Sequence, residues 1–156
     1  MGLDAFVCCN CIREGKAIAH PFPEKLVFDD GGQPALKDGA STDDWIKHDH
    51  WLAESCEHAG FLVSVRLGNI SMIAHVRELL GDLQRTNLRF PILLENVVCD
   101  GTHSGDSIST PDVPPLLKEV NTMLLRNTLD SMDKGFFTSM KRLCEASIAT
   151  GNPIVF

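Results

Sequence analysis

The stretch FLVSVRLGNISMIAHVRELLGDL, residues 61–83, changes its periodicity at Gly68-Asn69. Before the turn, FLVSVRL at 61–67 partly alternates apolar and polar residues, the pattern of a half-buried strand. After it, Met72, Val76, Leu79, Leu80 and Leu83 fall at offsets 0, 4, 7, 8 and 11, along one face of a 3.6-residue period. A strand leading straight into an amphipathic helix points to helices laid on a sheet.

Toward the N-terminus, LDAFVCC at 3–9 reads as a mostly buried strand bounded by Asn10, and residues 25–29 as a second strand running into a Gly-Gly turn. A helix is expected from Ser41 or Thr42 to about Glu57. Asp43 and Asp44 would lie in its first turn, where the dipole favours negative charge, and Trp45, Trp51, Leu52 and Cys56 would face inward. Gly60 ends it. Toward the C-terminus, ILLENVV after Pro91 reads as another strand, followed by a polar loop. Thr110-Pro111 opens a helix that admits Pro111, Pro114 and Pro115 only near its first turn. A last helix from about Asp133 is expected to bury Phe136, Phe137, Met140, Leu143, Cys144 and Ile148, with Gly151 and Pro153 stopping it. The closing PIVF is expected as an edge strand. The expected fold is α+β, a two-layer single domain over residues 1–156 with helices packed on a mixed or mostly antiparallel sheet.

Composition agrees with a folded domain. A hydrophobic fraction of 44% against 22% charged residues is ordinary for a globular chain and excludes disorder over most of it. No apolar run approaches the roughly 20 residues of a membrane helix. Met1-Gly2-Leu3-Asp4 carries no basic residue ahead of its short apolar stretch, so no secretion signal is read there and a cytoplasmic location is expected. Residues at about 21–40 are rich in Pro and Gly and read as a long acidic excursion. Between Glu24 and His58 nine acids face three bases, while the whole chain carries −7. Such a region repels nucleic acid and favours a basic protein partner, with Asp43, Asp44 and Asp49 as candidate contacts; a solvated face that aids solubility is the alternative.

Six cysteines in a reducing compartment are expected as thiols, for packing, metal ligation or catalysis. Cys9 and Cys11 flank one residue at the end of the first strand; Cys56 and His58 flank one residue at the end of the first helix. Three sulfurs and an imidazole suit one structural, tetrahedral zinc, although zinc pairs more often stand two to four residues apart. Such a site would pin the excursion at both ends. The alternative is that the three cysteines are small packing residues and His58 a helix-end cation. Alternation points Cys8 away from Cys9. His48 and His50 lie about 200° apart on a helix and cannot share a metal.

Residues 100–106, DGTHSGD, concentrate polar groups after an apolar segment. Thr102, His103 and Asp106 are candidate binding residues. In a catalytic reading His103 is the base, Asp100 or Asp106 orients it and Ser104 is the nucleophile; a plain turn is the third possibility.

The ordered series MGLD…CNC…CEHAG…RLGNI…FPILLENVV…GTHSGD…GNPIVF resembles an uncharacterised family of bacterial proteins of about this length, and the likeness spans most of the chain. The matching positions include Gly2, Cys9, Cys11, Cys56, His58, Gly68, Asn69, Gly101, Thr102, His103, Gly105 and Asp106. By analogy of type, small acidic chains of this kind look like immunity proteins. A non-enzymatic inhibitor that neutralises a bacterial toxin through an acidic surface is therefore expected, with no nucleic acid or membrane partner. The alternative expectation is a small metal-dependent hydrolase or transferase using His103 and Asp106. A homo-oligomeric scaffold is a third.

Overall fold

A computed structural model describes residues 2–99 and 106–156. The strands are β1 (Gly2–Cys8), β2 (Leu26–Phe28), β3 (Pro34–Leu36), β4 (Phe61–Asn69), β5 (Ser107–Ile108) and β6 (Ile154–Val155). The helices are α1 (Thr42–Glu54), α2 (Ile70–Gln84), α3 (Val113–Leu124) and α4 (Ser131–Thr150). Four strands form an antiparallel sheet in the order β4-β1-β6-β5, and β2 and β3 form a separate hairpin. The expected α+β class is what the chain adopts.

The β1–β4 ladder is the backbone of the fold. Leu3, Ala5 and Val7 point to one face and are buried, as strand alternation requires. Against that face lie α2 and α4, which contribute Met72, Ile73, Val76, Leu80, Phe136, Phe137, Met140 and Leu143. Asn69 ends β4 and caps α2, its side chain accepting the Met72 amide at 2.9 Å. The periodicity switch at 68–69 is thus a strand–cap–helix junction. Among the described residues no helix is long and apolar enough to cross a membrane.

Several expectations change. ILLENVV is not a strand: Leu93–Val97 winds as a wide, π-type helical turn. The Glu119 carboxylate on α3 accepts the Ile92 and Leu93 amides at 3.1 and 2.9 Å, anchoring the free start of that turn. The last strand is not an edge: β6 lies between β1 and β5 and pairs with both. Ile148 is 52% exposed; Ser147 takes the inward position, its hydroxyl donating to the Asn152 carbonyl. On α1, Trp45 turns outward and His48 is buried beside Trp51. Helix α1 stops at Glu54, so Cys56 lies beyond it.

The excursion has little core of its own. Between Cys9 and Leu67 the buried apolar side chains are Pro34, Leu36 and Trp51, and none of them joins the main core. Polar contacts hold the segment together instead. The Trp51 indole donates to the Ile18 carbonyl at 2.8 Å, and the His20 and His48 rings meet at 3.0 Å. Lys25 pairs with Asp44 at 3.0 Å.

Candidate metal centre

Cys9 leaves the sheet where β1 ends. Its amide donates to the Gly60 carbonyl at 3.0 Å, one step past the Cys8–Phe61 register, so the start of the excursion and its return run side by side. Beyond Cys9 the chain curls, with Glu14 and Lys16 amides donating to the Asn10 and Cys11 carbonyls, both at 2.8 Å. On the return, the Ala59 amide donates to the Cys56 carbonyl at 3.1 Å and the Phe61 amide to the His58 carbonyl at 3.0 Å. Ala59 and Gly60 take φ of 47° and 88°, which tightens this second curl. A Cβ at Gly60 would also stand 2.9 Å from Leu52 Cδ1, so that side chain would have to shift to admit it. Single-residue spacing between ligands works because both pairs lie on curled turns, where side chains two apart can converge.

The result brings together the four residues expected to do so. One donor atom from each of Cys9, Cys11, Cys56 and His58 lies within 4.8 Å of every other. Cys9 Sγ and Cys56 Sγ are 3.7 Å apart, and Cys11 Sγ and His58 Nδ1 are 3.3 Å apart. Zinc–sulfur bonds of about 2.3 Å at the tetrahedral angle put two sulfurs about 3.8 Å apart, and a sulfur–imidazole edge comes to about 3.6 Å. The four lie close enough to bind a metal ion, and the donor set is compatible with zinc. Cys8 stays out of the cluster, fully buried on the other side of the strand, where burial and then the nearby Asp29 push its thiol up to about 11.

The thiols are unequal. Burial, followed by the neighbouring Cys9 and Cys56 sulfurs, pushes Cys11 up to about 12. Burial also raises Cys9. Burial acts upward on Cys56 as well, yet the Gly60 and His58 amides, with hydrogen bonds from Cys9 and Ser55, bring it down to about 7. One thiolate is therefore favoured near neutral pH, and the negative charge it carries resists ionisation of the other two. A dication at the centre would relieve that repulsion.

Residues that sequence reasoning passed over hold this centre in place. Asn10, between the two cysteines, donates to the Thr150 carbonyl at 2.7 Å. Asn152 donates to the Cys8 carbonyl at 2.8 Å and to Asn10 Oδ1 at 2.9 Å, and Arg13 donates to Asn152 Oδ1 at 2.8 Å. The first curl is thus fastened to the end of α4, about 140 residues away in sequence. The Asn-Cys and Gly-Asn-Pro contexts are turn signals, but their pairing is long-range and leaves no mark on local sequence.

The other candidates are placed as follows. Asp44 is turned inward: it completes the capping box with Ser41 and pairs with Lys25. The Ser41 amide, then Lys25 and the Ser41 hydroxyl, hold its carboxyl down at about 2. Asp43 is exposed beside Lys47 at 3.7 Å, and Asp49 is exposed beside Ile46, His50 and Ala53. Thr102 and His103 lie outside the described residues. Asp106 is described, and its carbonyl accepts the Phe156 amide at 2.9 Å, where β5 meets β6. His48 and His50 sit on helix α1 as expected and do not share a site; His75 pairs with Asp133 at 3.0 Å.

Comparison with known protein families, with curated proteins and with solved structures finds no match to this chain.

Proposed function

We propose that the protein is a non-enzymatic binding protein of the immunity type, in which one structural zinc, held by Cys9, Cys11, Cys56 and His58, braces an acidic flap that docks on a basic toxin. The observation that carries the reading is the convergence of those four ligands at the two ends of a segment with almost no apolar core. Small units that cannot bury enough surface gain stability from a metal, and this unit has every ligand position filled by protein. Such a closed site leaves no open coordination position for a substrate.

The outward face of α1 supports the docking role. Trp45 is 41% and Ile46 51% exposed, and the carboxylates of Asp43 and Asp49 flank them. A large aromatic ringed by acids suits a basic surface: the ring supplies an anchor and the charges speed and orient the encounter. The resemblance to the bacterial family and the analogy with immunity proteins belong to this proposal.

Two measurements test it. Protein purified without chelators is expected to carry about one zinc per chain by elemental analysis. Association with the basic product of the neighbouring gene is expected to slow at least tenfold between low and high salt, and Trp45→Ala to weaken binding by about 2 kcal/mol. A metal-free folded protein overturns the zinc. Salt-independent association, or turnover in a hydrolase screen with added zinc, manganese or magnesium, overturns the docking role.

A further inference from the structure

At the far end of the β1–β4 ladder from the metal centre, a cleft of about 590 Å³ opens between the β4–α2 junction and the start of α4. Its volume falls in the range of small-molecule sites. Leu67, Met72 and Phe136 make an apolar floor, all three buried in the core beneath. Met132, 55% exposed, stands at the rim.

Arg66 is the one formally charged side chain among the described residues that line this cleft, on a chain of net charge −7. Arg66 makes no ion pair or hydrogen bond among the described residues. Its guanidinium lies over the backbone of Gly2, where a Cβ would stand 2.7 Å from Nη2. Asp4 faces Arg66 across the ladder without forming an ion pair. His75 Nε2 is tied to Asp133 Oδ1 at 3.0 Å, a contact that fixes the ring, and no carboxylate is among the described residues that line the cleft. An exposed planar guanidinium without a protein partner among the described residues, at the side of a cleft with an apolar floor, matches a carboxylate attached to an apolar body, because the fork donates to both oxygens at once.

We propose that this cleft binds a small amphipathic carboxylic acid, its carboxylate on Arg66 and its apolar chain or ring on Leu67, Met72 and Phe136. The site is independent of the metal centre and of the α1 face, so its failure leaves the docking role untouched.

Gly135 provides a clean block. It lines the cleft, and a Cβ added there meets nothing within 4 Å, so a larger side chain grows into the cleft without disturbing the helix. Titration calorimetry on the full chain would use octanoate, octylamine and an acetylated tripeptide ending in leucine. Octanoate is expected to bind. Arg66→Gln and Gly135→Leu are each expected to raise its dissociation constant at least tenfold, with unchanged circular dichroism. Asp4→Asn is expected to tighten binding, and octylamine not to bind. Absence of octanoate binding at millimolar concentration, equal binding by the Arg66→Gln or Gly135→Leu variant, or binding of octylamine overturns the proposal. Tighter binding of the tripeptide than of octanoate also overturns it, in favour of a site that reads peptide ends.

Discussion

His20 and His48 form a buried contact whose protons can be assigned from their partners. The Phe22 amide donates to His20 Nδ1 at 2.9 Å, so that ring carries its proton on Nε2 and donates it to His48 Nδ1. A further proton on His20 could go only to Nδ1, where it would face the Phe22 N–H. Burial, and after it the neighbouring His48 ring, depress His20 below its ordinary value of 6.5, against an opposing pull from Glu24. The folded state therefore binds this proton less readily than the unfolded chain. Its contribution to stability is complete above pH 6.5 and is lost as pH falls below it toward the folded value. Urea midpoints measured from pH 8 to pH 5 are expected to fall below pH 6.5, with the His20 part limited to about 1.4 kcal/mol per pH unit. His20→Gln should flatten the curve relative to the natural chain. Identical slopes would remove the histidine contact from the account. This contact was only partly legible: of the residues expected to face inward, Trp45, Trp51, Leu52 and Cys56, Trp51 does pack beside the pair, but Trp45 is exposed and His48 takes the inward place.

At the scale of the element, caps and periodicity were readable and tertiary anchors were not. Ser41 and Asp44 close a capping box at the start of α1, as the serine and following acids suggested, and Gly151 takes φ of 71° to end α4. By contrast, ILLENVV is an apolar run without a decisive period, and such a run does not distinguish a strand from a buried helical turn. What decides it is Glu119, more than twenty residues on, whose carboxylate takes two amides that a strand would give to a neighbour. Burial raises that carboxyl above its ordinary range, and the two amides pull it back. Glu119→Ala leaves two half-buried amides without acceptors and is expected to destabilise the protein by about 2 kcal/mol, with faster hydrogen exchange over residues 92–98. Glu119→Gln keeps an acceptor and should cost less. Equal losses in the two variants would mean that packing, not the amide bonds, forms the turn.

Across the whole molecule, two regions are stabilised by different means. The β1–β4 ladder, α2, α3 and α4 share one apolar core, and that core was legible because period and burial coincide along each element. Residues 10–60 depend on polar contacts and on the Cys9, Cys11, Cys56 and His58 cluster; the residue types there were legible, but the curls that aim them were not. If a metal supplies most of that segment's stability, its removal should act locally. Hydrogen exchange after treatment with a strong chelator is expected to speed by at least tenfold over residues 10–60, including the α1 amides. The amides of β1, β4, α2 and α4 should keep most of their protection. Cys56→Ser should reproduce the chelator's pattern without any chelator, since three ligands leave the site open. His20→Gln, away from the ligands, should loosen the same segment while retaining metal. Exchange that rises evenly over the chain would instead make the metal a support of the main core, and exchange that does not rise at all would make the four-residue cluster a packing arrangement only.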